Sequence, residues 1–147
     1  MISKSKTIKS NSKGLFLLEL IIAISIFSSA SFFPLISFSK FVGSYLTYFY
    51  TVKTYQFLHF GRAWAIANDQ DTHYEIQNTH NLNLYNQNQK ILKTITFPPQ
   101  LQISLNKNIG FKSSGNTKIA GTITISSKNK TQKITVGIGY GQIKIKD

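Results

Sequence analysis

The sequence predicts an α+β fold in which a long N-terminal helix packs on a C-terminal antiparallel β-sheet. Apolar residues run almost without interruption from Leu15 to Phe38. Beyond them, apolar side chains recur every three or four residues as far as Asn68, which is typical of a helix. From His73 the period changes to two, in short Ile- and Thr-rich segments separated by turn residues. A helix followed by such strands buries one face against them, so we expect a two-layer head.

The N-terminal run is long enough to cross a lipid bilayer. As a helix, residues 15–38 would be roughly 36 Å long, against a hydrocarbon core of about 30 Å. The segment before the run, residues 1–14, contains four lysines and no acidic residue. The positive-inside rule therefore predicts a single-pass protein with a cytoplasmic N-terminus and an external head.

Glu19 is the residue that a simple membrane segment does not explain. An intramembrane carboxylate costs about 2.5–3.5 kcal/mol and usually faces a partner. A secretory signal peptide would need a shorter apolar region ending in a small-residue cleavage site, and the nearest approach to one, Ser28–Ser31, lies inside the run. A plain membrane anchor that never polymerises remains open. Pro34 predicts a helix kink.

Residues 39–68 read as an amphipathic continuation of the helix. We expect its packing face to carry the regularly spaced apolar residues Phe41, Tyr45, Phe49, Val52, Tyr55, Leu58, Ala63 and Ile66. Tyr48 and Tyr50 add to the aromatic residues just beyond the run and predict an interfacial belt. The sequence "NDQD" at 68–71 predicts the helix end.

Residues 69–147 form the predicted β-rich head. The strand segments are "THYEIQ", "NLNLYN", "ILKTITF", "LQISL", "NIGF", "GTITIS", "KITVGI" and "QIKIK". Alternation in the last of these predicts that Ile143 and Ile145 point inward, with Lys144 and Lys146 outward.

The composition gives little support for catalysis. The chain has no cysteine, and its three histidines show no metal-ligand spacing beside carboxylates. A dinucleotide loop needs glycines that open a helix, whereas the glycines of "GIGYG" (137–141) precede a predicted strand, so we expect a hairpin turn or bulge. We therefore expect neither an enzyme nor a cofactor.

The net charge of +12, from 17 basic and 5 acidic residues, favours acidic partners. Many of the lysines lie in the last third of the chain: Lys107, Lys112, Lys118, Lys128, Lys130, Lys133, Lys144 and Lys146. A solvated basic face is one interpretation. Non-specific contact with DNA phosphates is the sharper one, and it would be sensitive to salt.

The N-terminus resembles the prepilin signature of type IV pilins and pseudopilins. The matching features are the basic leader, Gly14, the apolar Leu15 and Phe16, and Glu19 five positions after the glycine. The resemblance implies cleavage by a prepilin peptidase between Gly14 and Leu15, and N-methylation of Leu15. The new α-ammonium of one subunit could then be neutralised by Glu19 of its neighbour, which makes Glu19 an assembly residue.

The head also resembles members of this family. "FLHFGRAWAIANDQDTHYEI" is similar to H-type pseudopilins of type II secretion. The last 39 residues look more like the D-type minor pilin encoded in the ComG operon of Gram-positive competence systems. The resemblance implies a minor pilin of a competence pilus that supports DNA uptake, with an H-type secretion pseudopilin as the alternative. The implied partners are major and minor pilins, prepilin peptidase, an inner-membrane assembly platform and DNA.

Overall fold

A computed structural model of the chain describes the backbone of residues 12–146, and the side chains of the same residues except 12, 13, 30–37 and 39. It contains two compact units that divide between Ser39 and Lys40. Helix α1, Ser12–Asn68, contributes to both. Each unit is described separately below. Most of the predicted leader, residues 1–11, lies outside the described residues.

The first unit is the N-terminal part of α1. The hydroxyls of Ser25 and Ser29 bond carbonyls of their own helix, and Ser25 donates to the carbonyl of Ile21 at 2.8 Å. The segment is helical through Pro34, whose side chain lies outside the described residues, and the predicted kink stays a prediction. Within the described residues, no helical segment is both long and apolar enough to cross a membrane.

The second unit combines the rest of α1 with nine strands in two antiparallel sheets. The strands are β1 Thr72–Gln77, β2 Asn81–Asn86, β3 Ile91–Thr96, β4 Gln102–Leu105, β5 Gly110–Phe111, β6 Thr117–Ile119, β7 Gly121–Ser126, β8 Thr131–Val136 and β9 Ile143–Lys146. The first sheet has the order β3-β2-β1-β5-β6, and the second has the order β4-β7-β8-β9. The inner faces of both sheets share one apolar core with α1.

The α+β prediction is confirmed, and two details differ from it. The strands form two sheets instead of one, because β4 pairs with β7 and not with its chain neighbour β3. Strand β6 was not predicted. Its three residues "TKI" are largely exposed and lack the alternation of apolar and polar side chains on which the strand prediction depends.

The predicted stop at the end of α1 is confirmed. Asp69 adopts a left-handed backbone with φ of 50°. Its amide donates to the carbonyl of Ile66, and the amide of Gln70 donates to the carbonyl of Ala65 at 3.2 Å. This pair of hydrogen bonds forms a Schellman cap, with Asp69 in the position that glycine usually holds.

The face of α1 that packs on the sheets includes Leu58, as predicted, but not the aromatic residues Phe41, Tyr45 and Phe49 of the predicted stripe. Phe41, Tyr45 and Phe49 are exposed, whereas the buried face carries Thr47, Thr51, Thr54, Phe57, Leu58, Gly61 and Ala65. Helical geometry places these two sets on roughly opposite sides. Thr47 and Thr51 can be buried because each hydroxyl bonds the preceding turn, and that of Thr51 donates to the carbonyl of Thr47 at 2.7 Å. The buried hydroxyl of Thr54 has no hydrogen-bond partner among the described residues.

The tightest contact between α1 and the sheets is at Gly61. A Cβ added to Gly61 would overlap the hydroxyl of Tyr74, a fully buried residue of β1. The Tyr74 hydroxyl donates to the carbonyl of Phe57 at 2.6 Å, and the two rings pack edge to face. Burial raises the pKa of Tyr74, so this hydroxyl remains a protonated donor.

We predict that Gly61→Ala lowers the free energy of unfolding of the second unit by about 1–3 kcal/mol, through overpacking against Tyr74. Gly43→Ala in the same helix is the matched control. Its Cβ would meet only ordinary contacts at 3.7–3.9 Å, so it should be neutral or stabilising. Urea unfolding of the full chain in neutral detergent, followed by circular dichroism, measures both.

Combining Gly61→Ala with Tyr74→Phe removes the overlapping hydroxyl. The double variant should be less destabilised than the sum of the two single variants. If Gly61→Ala were as stable as Gly43→Ala, the close approach at this position would not constrain the fold.

Candidate functional site

The exposed side of α1 in the second unit carries the aromatic ridge, which comprises Phe41, Tyr45, Tyr48 and Phe49. Their exposed fractions lie between 48% and 67%. Phe41 stacks on Tyr45 and Tyr45 on Phe49, each pair with ring centroids 6.4 Å apart. A contiguous aromatic surface of this kind marks a contact with protein or lipid.

Between Leu15 and Phe27 the helix of the first unit carries apolar side chains on all sides. Ten large apolar side chains between Leu15 and Phe27 are 50–78% exposed. Glu19 is exposed among them, and Gly14 and Leu15 are exposed in the first turns of α1. The structure thus places the predicted processing and assembly residues on one exposed apolar helix.

The segment 137–141 forms the turn between β8 and β9, as predicted for its glycines. Gly137 donates to the carbonyl of Gln142 at 2.8 Å, and Gly139 and Gly141 have positive φ. Thr117 holds the turn by bonds to the carbonyls of Gly137 and Gly139. This anchored turn exposes Ile138 by 92% and Tyr140 by 83%, which gives the head a second apolar surface.

The eight candidate lysines do not form one cluster. Lys107 lies between β4 and β5, Lys112 follows β5, and Lys128 and Lys130 lie at the β7–β8 turn. Lys118 is on β6, where it pairs with Asp71 at 2.8 Å. The remaining three, Lys133, Lys144 and Lys146, share the outer face of the second sheet.

The register of the second sheet defines this outer face, which we call the basic sheet face. Ser104, Thr124, Lys133 and Lys146 lie opposite one another in a row across the four strands. Neighbouring rows complete the face with Gln102, Ser126 and Thr131 on one side and Thr122, Thr135 and Lys144 on the other. Residues Ile123, Ile134 and Val136, which alternate with them, are buried in the core.

The inward and outward directions predicted for β9 are confirmed by this register. Ile145 pairs with the buried Ile134, and Lys146 pairs with the exposed Lys133. Ile145 nevertheless remains 42% exposed, because β9 is the edge strand. The alternation of apolar and polar residues in β9 correctly predicted the face on which each side chain lies. The depth of burial depends also on the position of β9 at the edge of the sheet.

Lys118 is a weaker candidate for anion binding than the other lysines, because it pairs with Asp71. The Lys118 ammonium and the amide of Ser113 both donate to this carboxylate, and the Lys118 bond is the main cause that lowers the pKa of Asp71. Lys118 therefore has a carboxylate partner already. Sequence spacing could not reveal it, because the two residues lie 47 positions apart.

The three histidines lie in separate surroundings. His59 packs on Tyr55, His73 stacks on Tyr85, and His80 bonds Thr79. Among the described residues, no group of three or more His, Asp or Glu side chains could hold a metal ion.

The fold is similar to those of solved pilin-like proteins. One is the minor pseudopilin EpsH from the type 2 secretion system of Vibrio cholerae, with 18% identity, coverage of 67% of this chain and 94% of that chain, and a TM-score of 0.57. Another is the type IV minor pilin FimU of Pseudomonas aeruginosa, with 12% identity, coverage of 65% and 84%, and a TM-score of 0.53. No protein-family model and no curated protein matches the sequence. The chain therefore has the type IV pilin fold.

Proposed function

We propose that this protein is a minor pilin or pseudopilin, built into a filament through its N-terminal helix and acting by assembly and not as an enzyme. The observation that carries the proposal is the exposed apolar helix with one carboxylate, Glu19, attached to a head with the type IV pilin fold. The proposal gives each of these features a role.

The exposed apolar side chains of the N-terminal helix must be shielded from water by lipid or by protein. A helix that is apolar all round is buried in a membrane or in an assembly. We propose that residues 15–38 hold the protein in the cell membrane, with the N-terminus in the cytoplasm and the head outside. On assembly, helices of neighbouring subunits replace the lipid, and the aromatic ridge extends the same contact into residues 39–68. The protein then reaches the cell surface.

Glu19 then has a charged partner. Prepilin peptidase would cut after Gly14, and the N-methylated α-ammonium of Leu15 would pair with Glu19 of an adjacent subunit. Each charge alone is costly in an apolar surrounding, and removing one partner of such a pair costs about 3–5 kcal/mol. Assembly in one register follows from that cost. The partners are other pilins of the filament and an inner-membrane assembly platform.

We place the filament in a competence system that takes up DNA. The resemblance of the C-terminal segment to D-type minor pilins and the basic head support this setting. A type II secretion pseudopilin of the H type fits equally, since EpsH of Vibrio cholerae shares the fold. A membrane-anchored binding protein that does not polymerise is the third candidate, and the Glu19 experiment below separates it from both.

We predict that the protein isolated from its native host begins at N-methylated Leu15. Intact-mass spectrometry should show the loss of residues 1–14. Gly14→Val should retain the leader, whereas the control Ser12→Ala should be processed normally. If residues 1–14 remained on the unmodified protein in every fraction, no α-ammonium would form beside Glu19, and the proposed latch would be wrong.

We predict that Glu19→Val inserts into the membrane and fails to assemble, because the α-ammonium of the neighbour loses its counter-charge. Shearing of cells followed by immunoblotting of the filament fraction measures assembly, and fractionation measures insertion. Ser25→Ala is the matched control, since the Ser25 hydroxyl bonds only its own helix at Ile21. Normal assembly of Glu19→Val would favour the anchor without polymerisation.

We predict that deletion of the gene for this protein in its host abolishes DNA uptake and leaves protein secretion intact. Transformation frequency and the protein content of the culture medium measure the two outcomes. Intact transformation with loss of secreted proteins would replace the competence setting with the H-type pseudopilin, and the proposed assembly chemistry would be unchanged.

A further inference from the structure

We propose that the basic sheet face binds the phosphate backbone of duplex DNA through Lys133, Lys144 and Lys146, and that the other candidate lysines are not part of this site. The inference deepens the proposed competence function and rests on it. Four observations support it, taken in order below.

The first observation is the pairing of like charges. Lys133 and Lys146 are direct cross-strand partners, and Lys144 lies on the same face of β9. Side chains in such pairs have Cβ atoms about 4.5–5.5 Å apart, and like charges there are destabilising. A bound anion would convert that repulsion into two favourable contacts.

The second observation is the absence of opposite charge from the described positions of this face. None of its described positions carries a carboxylate. In the described head the acidic residues are Asp69, Asp71 and Glu75, at or before β1 of the other sheet. Glu75 lines a groove together with Ser104 on β4. Strand β7 separates β4 from Lys133, which puts Ser104 about 10 Å away from the lysine.

The third observation is the density of neutral hydrogen-bond donors. Lys133 and Lys146 border a shallow groove of about 510 Å³ whose lining includes Ser104, Thr122, Thr124 and Thr135. Serine and threonine hydroxyls are common partners of phosphate oxygens, alongside lysine. The groove thus offers ammonium groups and hydroxyls together, although the hydroxyls of Thr122 and Thr135 also bond each other at 3.2 Å.

The fourth observation concerns size and the absence of stacking groups. Strand spacing and rise make the face about 14 Å in each direction, a length of duplex axis that carries about four phosphates of each strand. None of its described positions is aromatic. Proteins that bind single-stranded nucleic acid use aromatic rings on which the bases stack. A face without such rings therefore favours binding to the backbone of duplex DNA.

The test measures binding of a 24-base-pair duplex to the full chain in neutral detergent by fluorescence anisotropy. Three phosphate contacts predict a slope of about −2.7 in log K against log salt, or about a 40-fold loss of affinity between 50 and 200 mM salt. The variant K133Q/K144Q/K146Q should lose at least about 10-fold of the affinity at 50 mM salt and flatten that slope.

The matched control is K107Q/K112Q/K128Q, which removes the same charge from three exposed lysines outside the face. It should change affinity by less than about 3-fold, and K133R/K144R/K146R should retain binding. Circular dichroism confirms that each variant is folded. Equal losses in the two glutamine variants would mean that diffuse charge binds DNA, and the proposed site would be wrong.

Two further probes identify the ligand chemistry. A single strand of the same length should bind more weakly than the duplex, and polyglutamate of equal charge should compete poorly. Tighter binding of the single strand, or equal competition by polyglutamate, would overturn the assignment to duplex phosphates. Filament recovery of K133Q/K144Q/K146Q from cells should be normal, which separates failure of this site from failure of the proposed assembly.

Discussion

The close approach of α1 to β1 at Gly61 and Tyr74 is the contact on which the rest of the head depends. It requires a helix face with small side chains whose polar groups are hydrogen-bonded within the helix. Thr47 and Thr51 meet this requirement, because their hydroxyls donate to carbonyls of the preceding turn. Because that face turns toward the sheets, the aromatic ridge must turn away from them. The packing of the core therefore decides which apolar surface is left for a partner.

Much of this architecture could be predicted from periodicity. Strands β1 and β2 match the predicted segments residue for residue, and the end of α1 lies where "NDQD" placed it. Apart from Leu58, the buried face of the helix was not predicted, because aromatic side chains were counted as core residues while threonines were not. For Thr47 and Thr51, the hydrogen bonds of the hydroxyls to the preceding turn, which spacing does not reveal, show why burial is tolerated.

The lysines show the same limit. Alternation along "QIKIK" placed Lys144 and Lys146 on one face, but strand order was needed to bring Lys133 opposite Lys146. Strand order depends on long-range pairing, and β4 joins β7 across the intervening β5 and β6. The sequence therefore indicated a basic C-terminal third. The fold places three of the eight lysines on one sheet face and pairs Lys118 with Asp71.

Within the second unit, the aromatic ridge and the basic sheet face do not compete for the same side of the protein. The buried face of α1 packs toward the sheets, and the basic sheet face is the outer side of the second sheet, away from the shared core. Contacts made by the ridge would leave the lysines open to solvent. Assembly and polyanion binding are therefore compatible in one small head.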